Sequence, residues 1–190
     1  MTRMEAERSP ESVNDLIKFA LIALLIVIPI RLFVAQPFIV RGASMEPTFD
    51  NGEYLIVDQL SYRFETPERG EVVIFRYPKN PTVFFIKRVI GLPGETVEIT
   101  GKRITIRRGV GVEPIVLDQS FIDPERMSSE YGVYALGDDE YFVMGDNRLE
   151  SSDSRTWGPL PKEDLIGRAI VRLFPPTRFG IYPGEVSLTH

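Results

Sequence analysis

The sequence predicts a mostly β domain of roughly 150 residues preceded by one N-terminal transmembrane helix. Three observations carry this. One long apolar run occupies residues Leu16 to Ala35. Everything after it falls into short β-type runs separated by Gly, Pro, Asp and Asn. Helical signals beyond the apolar run are few.

Residues 1–15 are polar and mixed in charge, and read as a short tail on the cytoplasmic side. Within Leu16–Ala35, the stretch Phe19–Ile30 (FALIALLIVIPI) carries no charge and is flanked by Lys18 and Arg31. A helix over the whole run is roughly 30 Å long, enough to span, with Lys18 and Arg31 snorkelling to the interfaces. Three alternatives are a buried soluble helix, a cleaved secretory leader and an amphipathic surface helix. Phe33 and Ala35 do not form a small-x-small cleavage site, and no polar face exists, so an uncleaved anchor is the preferred reading. Arg3, Arg8 and Lys18 precede the apolar core while Arg31 and Arg41 follow it. This count favours, by a narrow margin, an N-terminus inside and residues 36–190 outside.

The candidate strands are Phe38–Arg41, Glu53–Val57, Val72–Tyr77, Val83–Ile90, Thr96–Thr100, Arg103–Arg107, Tyr141–Met144 and Arg168–Phe174. Asn51-Gly52, Gly91-Leu92-Pro93-Gly94 and Thr100-Gly101 supply turns. A helix is expected over Pro124–Tyr131 and a helical turn over Pro161–Leu165. The basic cluster Lys102, Arg103, Arg107 and Arg108 reads as charge guarding a sheet edge, with anionic lipid as the alternative.

Composition excludes several function classes. The net charge of −5 gives no global basic surface for nucleic acid. The chain has no cysteine and one histidine, His190, so disulfides, thiolate chemistry and an ordinary zinc site are not expected. Chemistry without a metal or cofactor is the expectation.

Two residues suggest such chemistry. Ser44 lies in Gly42-Ala43-Ser44-Met45-Glu46-Pro47-Thr48, just beyond the apolar run; it is either a turn residue or a nucleophile. No histidine lies nearby in sequence to activate it. Lys87 lies in Val83-Phe84-Phe85-Ile86-Lys87-Arg88-Val89-Ile90, where both faces of the strand are apolar. Either Lys87 and Arg88 sit on an edge strand and face water or acids, or Lys87 is buried. Burial disfavours the ammonium, and a lysine neutral near pH 7 to 8 is a competent general base. A dense polar stretch, Gly145-Asp146-Asn147-Arg148 through Gly158, follows later. There Asp153 and Arg155 read as an ion pair, and Ser151 as a hydroxyl able to orient an amine.

Together these residues resemble the bacterial type I signal peptidases of the compact, single-span kind. Four blocks match in order: S-M-E-P-T at 44–48, R-G-E-V-V-I-F at 69–75, K-R-V-I-G-L-P-G-E at 87–95, and G-D-N-R-x-x-S-x-D-S-R-x-W-G at 145–158. The resemblance covers Leu16 to Pro176. It implies a Ser–Lys serine endopeptidase on a β-fold at the membrane surface of a bacterium, needing no cofactor. It also implies that the substrates are signal peptides of exported preproteins, cut after small residues at −3 and −1. Ser44 corresponds to the nucleophile, Lys87 to the general base and Ser151 to the hydroxyl that holds the lysine. Asp153 and Arg155 correspond to the supporting ion pair, and Phe38, Val40 and Ile86 to residues lining the substrate pockets. Two positions depart from the pattern. Gly42 stands where some members place a serine oxyanion donor, and Glu95 stands where aspartate is common. A self-cleaving repressor-type Ser–Lys protease and a membrane-tethered binding domain are the competing readings; the apolar run argues against the first, and the constellation of Ser44, Lys87 and Ser151 against the second.

Overall fold

The structure, a computed structural model, describes residues 10–29, 35–109, 111–186 and 188. The predicted tail up to residue 9, Arg31, Phe33 and His190 lie outside the described residues.

The N-terminal helix α1 runs from Pro10 to Pro29, so it starts earlier and stops sooner than the predicted anchor. Proline is tolerated in the first turn, which allows the early start at Pro10. Ala35, expected to end the anchor, instead opens a strand. The apolar side chains of α1, among them Leu16, Phe19, Leu21 and Leu25, are exposed. Among the described residues no helix is long and apolar enough to cross a membrane.

The rest is β-rich, as the turn spacing predicts. In chain order the strands are β1 (Ala35–Ile39), β2 (Tyr54–Asp58), β3 (Val72–Tyr77), β4 (Asn80–Gly91), β5 (Thr96–Gly101) and β6 (Arg103–Arg107). They continue with β7 (Ile115–Val116), β8 (Glu130–Ala135), β9 (Glu140–Met144), β10 (Leu160–Pro161), β11 (Leu165–Phe174) and β12 (Gly180–Ile181). One sheet has the order β1-β2-β11-β3-β4-β9-β10, with β12 added beside β11; a smaller one has the order β7-β6-β5-β8. The pairings recorded between these strands are antiparallel.

Most predicted strands appear with ends shifted by a few residues. β1 begins before Pro37 rather than after it; it lies at the edge of the sheet, where a residue without an N–H is tolerated. The predicted helix 124–131 is not formed, and its last two residues belong to β8. Pro124 does start a helical turn, but it closes after Arg126, and the alternating Tyr131, Val133 and Ala135 then continue as strand. The predicted turn 161–165 is a short 3₁₀ segment, Lys162–Asp164.

Three apolar clusters hold these parts together. Ile90, Phe142 and Met144 of the large sheet pack with Val97, Ile104 and Ile106 of the small one. Gly91 is where the chain passes between the sheets, and a Cβ there would come within 2.5 Å of Val97 and 2.8 Å of Leu136. Val73, Phe75, Val89 and Tyr141 form a second cluster, and Met45, Phe49, Leu55 and Val57 a third beneath the turn that carries Ser44.

Candidate active site

The turn after β1 is held from both sides. Gly42 adopts φ +88°, a left-handed conformation that glycine enters without cost, and its N–H donates to Asn51 Oδ1 at 3.0 Å. Met45 and Phe49 drop into the core, and Phe49 N–H donates to Met45 O at 2.9 Å, closing the turn. Arg172 stacks 4.8 Å over the Phe49 ring and donates to Thr48 O at 2.6 Å. Ser44 is thus a half-buried residue on a rigid turn.

β4 brings the lysine to it. Lys87 is 3% exposed, and its Nζ lies 2.7 Å from Ser44 Oγ and 2.9 Å from Ile86 O. Burial is the main cause that lowers its pKa from 10.5 to about 8, outweighing the attraction of Asp153 and Asp146. The ammonium donates to Ser44 Oγ; once the amine is neutral the same contact can be reversed, with the hydroxyl donating to Nζ.

The third element is the segment following β9. Asn147 N–H donates to Ser44 O at 3.0 Å and its Nδ2 to Ala43 O at 3.2 Å, tying this segment to the nucleophile turn. Gly145 makes the approach possible. A Cβ there would sit 2.6 Å from Ser151 Cβ and closer still to Ser151 Oγ and Ser44 O. Gly145→Ala is therefore expected to displace Ser44 and lower kcat about a hundredfold, with little change in helix or strand content by circular dichroism.

Asp153 and Arg155 form the expected ion pair, bidentate, with Nε and Nη2 each 2.8 Å from a carboxylate oxygen. Gly145 N–H donates to Asp153 Oδ2 at 3.0 Å. Burial alone would raise the Asp153 pKa, but Arg155 and these hydrogen bonds outweigh it and hold the carboxyl below its ordinary range. Arg155 also reaches Ser128 Oγ and Glu130 Oε1, both at 2.7 Å.

Ser151 is placed beside this pair rather than on the lysine. Its buried Oγ makes no hydrogen bond to Lys87, whose second acceptor is Ile86 O. The hydroxyl lies instead against Gly145, without a hydrogen-bond partner among the described residues.

Sequence reasoning assigned no role to Arg88 or Asp146. Arg88, 0% exposed, pairs with Asp146 at 2.6 Å and 2.9 Å and donates to Gly70 O at 2.7 Å. Thr48 Oγ1 donates to Asp146 Oδ2 at 2.6 Å, so the pair also grips the nucleophile turn. The signal was present: a charge on a doubly apolar strand needs a buried partner, and Asp146 is in the nearest dense polar stretch. Arg69 and Glu95 form a further buried pair, in which Arg69 Nη2 donates to both carboxylate oxygens, at 2.6 and 2.8 Å, joining two of the motif blocks.

Phe38, Val40, Leu55, Ile74 and Ile86 line a cleft of about 580 Å³ that ends at Ser44 and Lys87. Arg41, Glu150 and Ser152 also face it. The Ser44 N–H is engaged by no acceptor among the described residues and is free to meet an oxyanion, whereas the Gly42 N–H is committed to Asn51. Among the described residues no group of three or more His, Cys, Asp or Glu side chains is placed to hold a metal ion.

Residues 13–174 match the family model described as signal peptidase, peptidase S26. A probable signal peptidase I-2 of Synechocystis sp. is 40% identical, over 98% of this chain and 85% of that one. Signal peptidase I of Leptolyngbya laminosa is 38% identical, over 84% of this chain and 78% of its own. Signal peptidase I P of Bacillus subtilis subsp. natto is 34% identical, over 89% and 93% respectively. The chain therefore belongs to the signal peptidase I family, peptidase S26.

Proposed function

We propose that this chain is a Ser–Lys endopeptidase that removes N-terminal signal peptides from exported preproteins. The observation that carries the reading is the 2.7 Å contact between Ser44 Oγ and the buried Lys87 Nζ at the end of an apolar cleft. Neutral Lys87 takes the Ser44 proton as Oγ attacks the scissile carbonyl. The resulting oxyanion is met by the Ser44 N–H, a type of contact worth roughly 3 to 4 kcal/mol elsewhere. Lys87 then gives its proton to the leaving amine and activates water to hydrolyse the acyl-enzyme. Asp153 and Arg155 fix the segment behind Lys87.

Phe38, Val40 and Ile86 form the apolar walls against which small −3 and −1 side chains pack. The exposed apolar surface of α1 supports a membrane anchor carried by that helix, with its N-terminal side inside and the β-rich domain outside the cytoplasmic membrane of a bacterium. Holding enzyme and preprotein on one surface raises their encounter frequency.

The experiment is incubation with a preprotein carrying a small-x-small site in detergent micelles. Wild type is expected to release one mature N-terminus, read by mass spectrometry, and Ser44→Ala none. Equal cleavage by both proteins would remove Ser44 from the mechanism.

A further inference from the structure

One stretch of chain touches the nucleophile turn and three of the arginines behind the site without lining the cleft. Residues 117–130 leave the small sheet after β7 and rejoin it at β8. Leu117 is buried in the core between the sheets and Ile122 is buried too, which fixes the limb that leads to the tip. Phe121 lies under the Arg88 guanidinium at 4.6 Å. Gln119 Oε1 accepts from Arg148 Nη1 at 2.5 Å, and Ser128 and Glu130 accept from Arg155. At the tip, Asp123 caps a short turn by accepting from Glu125 N–H at 3.0 Å, and Arg126 N–H donates to Asp123 O at 2.9 Å. That turn presents Arg126 Nη1 to Glu46 Oε2 at 3.1 Å.

Glu46 is two residues from Ser44, on the same turn. The other ties on this turn come from the large sheet and its loops: Asn51, Asp146, Asn147, Arg172 and Arg178. The Arg126–Glu46 pair is the salt bridge that reaches it from the small sheet's side. Its side chains are 32% and 27% exposed, so it contributes little to global stability. Its location gives it a different use, because a small displacement of a reacting atom is expensive in rate.

We propose that residues 117–130 form a clamp in which Arg126, through Glu46, positions Ser44 against Lys87. This rests on the proposed dyad. Arg126 and Glu46 are positioning residues, and Lys87's own surroundings do not depend on them.

The test compares wild type, Arg126→Glu, Glu46→Arg and the doubly exchanged protein on one preprotein in micelles. Each single change is expected to lower kcat about tenfold with KM and the apparent pKa of the pH–rate profile unchanged. The exchanged pair should recover most of the rate, with melting temperatures of all four close together. Undiminished kcat in the single variants overturns the clamp, as does a double variant whose losses add. A shifted apparent pKa overturns it too, since the pair would then act on Lys87 rather than on Ser44. Ser44→Ala run alongside separates the two claims: its cleaving normally defeats the dyad, whereas its inactivity beside unaffected single variants defeats only the clamp.

Discussion

Lys87→Met is expected to abolish preprotein cleavage while making the protein more stable at neutral pH. The loss of rate should be on the order of 10⁵, and Ser44→Ala should cost about as much, because a nucleophile and its base act as one unit. For the same reason the double variant should be no worse than either single one. The gain in stability follows from linkage. Folding lowers the lysine's pKa from 10.5 to about 8, so between those values the unfolded chain holds more protons than the folded one. Stability contributed by this group therefore rises as pH climbs from about 8 to 10.5, and below about 8 the full cost of the buried ammonium is present. That cost is about 3 kcal/mol. Lost contacts to Ser44 Oγ and Ile86 O offset part of it, so Lys87→Met should gain about 2 kcal/mol at pH 7, fading above pH 8. Urea unfolding at pH 7 and pH 10 measures this directly.

Asp146→Ala should be among the most damaging changes away from the dyad. It leaves the Arg88 guanidinium fully buried and without its carboxylate, which costs about 3 to 5 kcal/mol. The same change removes the acceptor of Thr48 Oγ1, so the nucleophile turn loosens and activity falls beyond what the unfolded fraction explains. Arg88→Met combined with Asp146→Leu removes both charges at once and should recover most of the stability, because no uncompensated charge remains. It should not recover the activity, since the grip on Thr48 is still absent. Thermal melts and kcat on wild type and these two variants separate the two contributions.

The parts of the fold legible in the sequence were those whose signals are local. β3 and β6 are continuous β-branched and aromatic runs bounded by turns, and they appear where the pattern places them. β8 was hidden by Asp123-Pro124, a true helix-start signal whose helix closes after three residues. The site followed the same division. Lys87 was legible because a cation between Phe85 and Val89 conflicts with its own strand, and the conflict marks function. Asp153 and Arg155 are two residues apart and pair as their spacing suggests. The need of Arg88 for a buried partner was legible in the same way, but its meeting with Asp146, like that of Arg126 with Glu46, is made by topology, which one sequence does not display. Ser151 shows the limit of carrying a role over by motif: the serine is at the site, yet its buried hydroxyl makes no hydrogen bond to the lysine.

The central claim is that neutral Lys87 is the base that activates Ser44. Single-turnover cleavage of a preprotein in micelles, followed from pH 6 to pH 10, tests it most directly. The account predicts a rate that climbs with pH and levels off above an apparent pKa near 8, where burial sets the Lys87 amine. A rate independent of pH over that range, or one that falls as pH rises through 8, would contradict it.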